Sequence, residues 1–368
     1  MKSNKISIEI SLLILILTFP LFQINFANAE QNSLPCPRTA HSMVYLSQSD
    51  QIFLFGGREN QSSNGVLDDT WIFDCKTNKW QEISGDINPG PTSHHGMVYD
   101  STNNRVILYS GTAMWEFSVE SYLWRKLNLS SSPPSRTDAG FSFDGKRSQI
   151  LLFGGFQMDN KLGDLWSFNC STDSWTQINQ TGIKPSGRYG ASLMYSVNLD
   201  RVYLVGGRPF DSSYCDVWIL NPSNNSWQEI PVDEKGPNKR YWMGASFDQK
   251  HDKIVFFSGS GSYPFLEEIT WIFNCRTESW SELKRLNKPK MRMVHQMVYI
   301  ESSNKIFLFG GGNPEDMNQP FGDQWYYNTN LKLWREVKKV NLPFLLISIG
   351  VSVTFVAITL IIYKKRMR

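Results

Sequence analysis

The stretch QIFLFGGRENQSSNGVLDDTWIFDCKTNKW, residues 51–80, decides the fold, because the chain repeats its outline six times. It reads as an apolar run closed by Gly56-Gly57, a polar loop, an Asp-x-Trp segment and a second Trp nine residues after the first. The same pair recurs as Trp115/Trp124, Trp166/Trp175, Trp218/Trp227, Trp271/Trp280 and Trp325/Trp334, so twelve of the thirteen tryptophans share one spacing. Successive pairs lie 44 to 54 residues apart, and a fixed period in that range marks a repeat fold. A small pair closes the apolar run in every unit, ending at Gly57, Gly111, Gly155, Gly207, Gly259 and Gly311. Twelve residues before each of these stands an aromatic: Tyr45, Tyr99, Phe143, Tyr195, Phe247 and Tyr299.

Each unit therefore reads as four short strands. Strand A ends at the aromatic, strand B runs into the glycines, strand C carries the first Trp and strand D starts at the second. The runs are rich in aromatic and β-branched residues and bounded by Asn, Asp, Ser, Gly and Pro. Residues 30–342 carry no sustained helical periodicity.

On these residues the chain resembles the Kelch repeat family. The di-glycine after an apolar strand, the Asp-x-Trp of LDDTWIFD, GDLWSFN, CDVWILN and GDQWYYN, and the second Trp carry the resemblance over about residues 36–338. It implies an all-β, six-bladed propeller with one four-stranded blade per unit. The blades are placed at about 38–84, 92–128, 136–179, 188–231, 240–284 and 292–338. Units two and five depart in having Ser-Gly for Gly-Gly. Unit two also lacks the Asp and nearly all of its B–C loop.

The ends read differently. Residues 1–29 combine Lys2 and Lys5, the apolar SLLILILTFPLF and Ala27-Asn28-Ala29, the pattern of a cleavable signal peptide. PFLLISIGVSVTFVAITLIIY, residues 343–363, has no charge and is long enough for a single C-terminal transmembrane helix. The basic tail 364–368 would stay in the cytoplasm, giving a single-pass type I cell-membrane protein with ectodomain 30–340 outside. The chain totals +3. Setting aside six Lys/Arg and one Glu of the termini leaves 31 basic and 33 acidic residues, which gives no electrostatic footprint for nucleic acid. Asn60, Asn128, Asn169, Asn179 and Asn224 are candidate glycosylation sites. Cys75, Cys170 and Cys275 share one register position in blades that are not neighbours, so they read as core fillers rather than disulfide partners; Cys36 and Cys215 lie elsewhere.

Three columns are candidates for chemistry. Arg38, Arg136, Arg188, Arg240 and Arg292, with Thr92 in unit two, stand seven residues before the strand A aromatic. The resemblance puts the start of strand A at one mouth of the central channel, with the D–A and B–C loops. A guanidinium ring there would suit an anionic ligand. The competing role is a lock onto the blade Asp (Asp69, Asp164, Asp216, Asp323). His41, His95 and His295 come from adjacent blades and could form a metal or acid–base cluster. Strand alternation instead makes them satisfied, semi-buried histidines between blades, and no metal or other cofactor is expected. Trp242, outside the paired pattern, follows Arg240-Tyr241, as Tyr189 follows Arg188. Tyr189, Tyr241 and Trp242 are expected at the mouth as ligand contacts, whereas Trp166 is expected to be buried between blades.

No nucleophile motif, P-loop, zinc-binding helix or calcium loop is present. The resemblance also admits copper-radical sugar oxidases and sialic acid mutarotases. Tyr214-Cys215 is adjacent in sequence, but no histidine constellation accompanies it. The sequence reading is a cell-surface binding module for a protein or glycan ligand, with a carbohydrate-active enzyme or lectin for anionic sugars as the alternative.

Overall fold

A computed structural model of the chain describes residues 34–208, 215–231, 236–261 and 268–337. The segments read as signal peptide, membrane helix and basic tail lie outside them, as does Tyr214. Among the described residues no helix is long and apolar enough to cross a membrane.

The six units form six four-stranded antiparallel sheets, each built from its own consecutive strands. The A strands are Ser42–Leu46, Gly96–Asp100, Gly140–Asp144, Ser192–Ser196, Gly244–Asp248 and Gln296–Ile300. They touch one another in order around a central channel, and the last touches the first. Strands B, C and D follow outward. The result is a six-bladed β-propeller, as the repeat pattern implies. The three-residue 3-10 turn Ser63–Gly65 is the one helical element among the described residues.

Packing between blades comes from the second Trp column. Trp124 lies against Phe53 and Phe55 of blade one, Trp175 against Tyr109 of blade two and Trp227 against Phe153 of blade three. Trp334 packs on Phe257 of blade five, and Trp80 packs on Phe307 and Phe309 of blade six. The first Trp column is less uniform. Trp71 and Trp218 are buried, whereas Trp115 and Trp166 are only partly so, which corrects the burial expected of Trp166. Its indole instead donates to Asp164 at 2.7 Å.

The glycine pairs explain themselves at the blade boundaries. Gly57 donates its N–H to the Thr92 carbonyl of the next blade at 2.9 Å. The bond recurs from Gly155 to Arg188, Gly207 to Arg240, Gly259 to Arg292 and Gly311 to Arg38. The preceding glycine must let that carbonyl in. Gly56 has φ +60°, and a Cβ there would sit 2.5 Å from the Thr92 oxygen. Blade five has Ser258 at this position, also with positive φ, and its Oγ accepts the Arg292 N–H at 3.0 Å. Between blades two and three the direction reverses, Arg136 N–H donating to Gly111 at 3.0 Å.

Among the described residues no strand is shared between blades one and six. The ring closes by contact alone: Phe73 stacks on Phe307 at 4.7 Å, Tyr326 donates to Asn78 at 2.7 Å and Ser302 to Asp50 at 2.7 Å. All five cysteines are unpaired, and burial pushes the Cys75, Cys170 and Cys275 thiols up to about 12, as fits inert filling side chains.

Trp334 is 2% exposed and donates to Thr270 of blade five at 2.8 Å. Trp334→Ala is expected to lower unfolding stability by ~3–5 kcal/mol through the cavity and the orphaned hydroxyl. Chemical denaturation measures this, and a loss below about 1 kcal/mol would contradict the packing role.

Candidate functional site

The arginine column does not ring the mouth. Arg38, Arg136, Arg188, Arg240 and Arg292 are all at most 3% exposed. Arg38 forks onto Asp69 at 2.6 and 2.7 Å, Arg136 onto Asp164 at 2.5 and 2.8 Å, and Arg292 onto Asp323 at 2.6 and 2.8 Å. Arg188 meets Asp216 at 2.6 Å. In each of these four, a further donor takes the carbonyl of the blade's own glycine pair, as in Arg188 to Gly206 at 2.9 Å. The same Asp accepts the indole N–H of the first Trp, from Trp71 to Asp69 at 2.6 Å and likewise in the other three blades. This Arg–Asp–Trp lock ties the loops to the strand C end and corrects the reading of these guanidiniums as open ligand donors. Arg240 is equally buried, with its backbone paired to Gly261; blade five has Ile269 where blades one, three, four and six carry the Asp. Burial pushes the Asp164 and Asp323 carboxyls up, and the hydrogen bonds from Arg136 and Trp166, or Arg292 and Trp325, overcome it. Both end below the ordinary carboxylate value. Their contribution to stability is present above about pH 4 and fades as pH falls below it.

The channel is lined by strand A residues, by His41, His95 and His295, and by a column five residues before the strand A aromatic: Ala40, His94, Asp138, Gly190, Trp242 and Val294. All six have positive φ, between 51° and 64°. Each donates its N–H to the member of the preceding blade, from His94 to Ala40 at 3.0 Å around to Ala40 onto Val294 at 2.9 Å. Six main-chain bonds thus form a closed collar at the mouth of a cavity of about 250 Å³.

Three collar side chains converge. Asp138 Oδ1 receives His94 Nδ1 at 2.7 Å and the indole N–H of Trp242 at 2.8 Å. Trp242 reaches Asp138 by passing over Gly190, where a Cβ would sit 2.7 Å from the indole. It is therefore not a loose loop residue but a member of the collar. Outward of it lie the two tyrosines singled out in the sequence, with ring centroids at 5.9 Å for Tyr189–Trp242, 5.0 Å for Tyr241–Trp242 and 6.1 Å for Tyr189–Tyr241. Phe156 extends the cluster, and the Arg208 guanidinium stands 5.4 Å from the Tyr241 centroid while donating to the Tyr189 hydroxyl at 2.9 Å. The loops on this face also present the exposed apolar side chains Ile87, Met158, Ile183 and Leu286.

His94, Asp138 and Arg208 were not singled out in the sequence. The collar column is visible there by the same counting that gives the arginines, but its side chains differ in every unit, so nothing marks them as one set.

His41, His95 and His295 lie between blades as expected, but they are buried rather than semi-buried. Their ring nitrogens have no hydrogen-bond partner among the described residues. Burial, with His94 adding to it, lowers His95 to about 3. Burial together with a neighbouring arginine (Arg38 and Arg292 respectively) holds His41 and His295 well below the ordinary imidazole value, and the other two histidines add to the shift at His41. Among the described residues no three His, Cys, Asp or Glu side chains converge to hold a metal ion. Of the sequon asparagines, Asn128, Asn169, Asn179 and Asn224 are exposed. Asn60 is partly buried, its carbonyl capping Ser62.

The sequence matches the KLHDC2/KLHL20/DRC7 Kelch-repeats domain over residues 25–114 and 84–259. It is similar to Kelch domain-containing protein 1 of Mus musculus, 28% identical over 40% of this chain and 36% of that protein. It is also similar to the Rab9 effector protein with kelch motifs of Homo sapiens, 25% identical over 43% of this chain and 42% of that one. Host cell factor homolog hcf-1 of Caenorhabditis elegans aligns over 82% of this chain at 25% identity. The aligned part is 35% of that protein, so the chain spans well under half the length of each of these relatives.

Arg188→Ala is expected to cost ~3–5 kcal/mol, because it leaves the Asp216 carboxylate, 6% exposed, buried without its cation. Thermal and chemical unfolding test this. A variant as stable as the parent would show the lock to be dispensable and return Arg188 to the pool of ligand contacts.

Proposed function

The chain belongs to the Kelch-repeat family, and from that premise we propose that its propeller is a non-catalytic binding module whose ligand seats on the collar face over blades three to five. The carrying observation is the grouping there of Trp242, Tyr241 and Tyr189 with Arg208, amid loops that present Met158 and Ile183. Aromatic and arginine side chains on a rigid frame supply large contact area at little ordering cost, the usual make-up of interface anchors. The apolar loop tips favour a protein ligand. Propellers of this family commonly serve in protein interactions, and the name of the human relative, an effector protein, is in keeping with such a role. The charge pattern of the termini supports display of this face outside the cell on a single C-terminal span.

A carbohydrate-active role keeps one specific support, the Asp138–His94 pair beside the Trp242 ring, which could hold a hydroxylated ligand.

Screening the full-length protein in detergent on peptide and glycan arrays separates the two. We expect peptide hits whose affinity falls about tenfold or more with Tyr241→Ala or Trp242→Ala, each variant retaining the parent's circular dichroism. Hits confined to glycans would favour the second reading. Binding that survives both substitutions would move the site elsewhere.

A further inference from the structure

We propose that the propeller carries an acid-labile arc: protonation of His41, His95 and His295 loosens the three contiguous blade interfaces 5/6, 6/1 and 1/2, and so opens the ring at its closure. The three histidines occupy one register position, four residues before the strand A aromatic. In blades three, four and five that position holds Ala139, Ala191 and Met243, which cannot titrate. Each imidazole is wedged against the preceding blade. His95 meets Phe55 edge-on at 5.7 Å, His41 meets Phe309 at 5.5 Å and His295 meets Phe257 at 6.1 Å. Backbone closes in on the same rings: a Cβ on Gly310 would stand 2.8 Å from His41.

These wedges are poor hosts for charge. Neither nitrogen of any of the three rings has a hydrogen-bond partner among the described residues. The charged or titratable groups facing them are Arg38 and the other two histidines for His41, His94 for His95, and Arg292 for His295. The carboxylates nearby are engaged with these neighbours, Asp138 with His94, Asp69 with Arg38 and Asp323 with Arg292, and none bonds any of the three rings. A proton on an unpaired, desolvated imidazole is costly, so the folded interface binds it more weakly than an opened one. With the folded value depressed below the ordinary ~6.5, closure is favoured above about pH 6.5 and progressively lost as pH falls below it. The 6/1 interface is where this matters most, because the chain does not run across it.

The repeat supplies its own reporters. The phenylalanine that meets each histidine also meets the second Trp of the same blade: Phe55 touches Trp124, Phe309 touches Trp80 and Phe257 touches Trp334. Trp175, Trp227 and Trp280 serve the other three interfaces. Full-length protein labelled with 5-fluorotryptophan and titrated from pH 7.5 to 4.5 is followed by fluorine NMR. The expected result is that the Trp80, Trp124 and Trp334 signals move towards the solvent-exposed shift while Trp175, Trp227 and Trp280 hold, and that His41→Ala/His95→Ala/His295→Ala removes the difference. Should the triple variant not fold, His95→Ala alone should silence Trp124 and leave Trp80 responding. The proposal is overturned if all six signals move together, if none moves by pH 4.5, or if the histidine variants titrate like the parent.

Discussion

The propeller depends on the hydrogen bond that, at five of its six interfaces, runs from the second glycine of one blade to the carbonyl that opens the next. It runs from strand B of one sheet to the start of the neighbouring A strand, so it fixes both spacing and tilt between blades. It exists only because the first residue of the pair adopts positive φ and leaves room for the carbonyl. At three of these bonds the carbonyl belongs to Arg38, Arg188 or Arg292, whose guanidinium is locked to its own blade's Asp, which also accepts from the first Trp. Main-chain and side-chain bonds thus meet at one residue. Ordering between blades is coupled to ordering within them.

Much of this was legible in the sequence, for a physical reason. Glycine pairs, paired tryptophans and the strand A aromatic serve contacts that recur identically in every unit, so the residue types recur too. Even the arginine lock left a trace. Unit two has Thr92 for the arginine and Ala113 for the aspartate, so there both partners are replaced together, whereas unit five keeps Arg240 with Ile269 in place of the aspartate. The collar left none. Its members are set by a backbone conformation, not a side-chain type, so Ala, His, Asp, Gly, Trp and Val all fill it. That Trp242 should cross to Asp138, 104 residues earlier, depends on the closed ring and on Gly190 lying between them. No local pattern encodes that.

One frame has been given two unlike halves. Blades three to five carry the aromatic cluster and small or apolar wedges; blades six, one and two carry the buried imidazoles. The scaffold tolerates both because the repeated collar bonds are main-chain, so the side chains at those positions are free to differ. Specialisation of one arc therefore need not disturb the geometry of the other.

That the described residues share no strand between blades bears on how the chain reaches this state. Every sheet pairs residues of a single unit, so its loops to close are short, and each blade can condense as it is made. The seam is different: Ser302 to Asp50 and Tyr326 to Asn78 join residues 252 and 248 apart. Loop entropy grows only logarithmically with length, but here it falls on one late event with no covalent or strand-swapped assistance. Five finished blades would wait with an open apolar flank until the sixth arrives, the interval in which a growing chain most needs a chaperone.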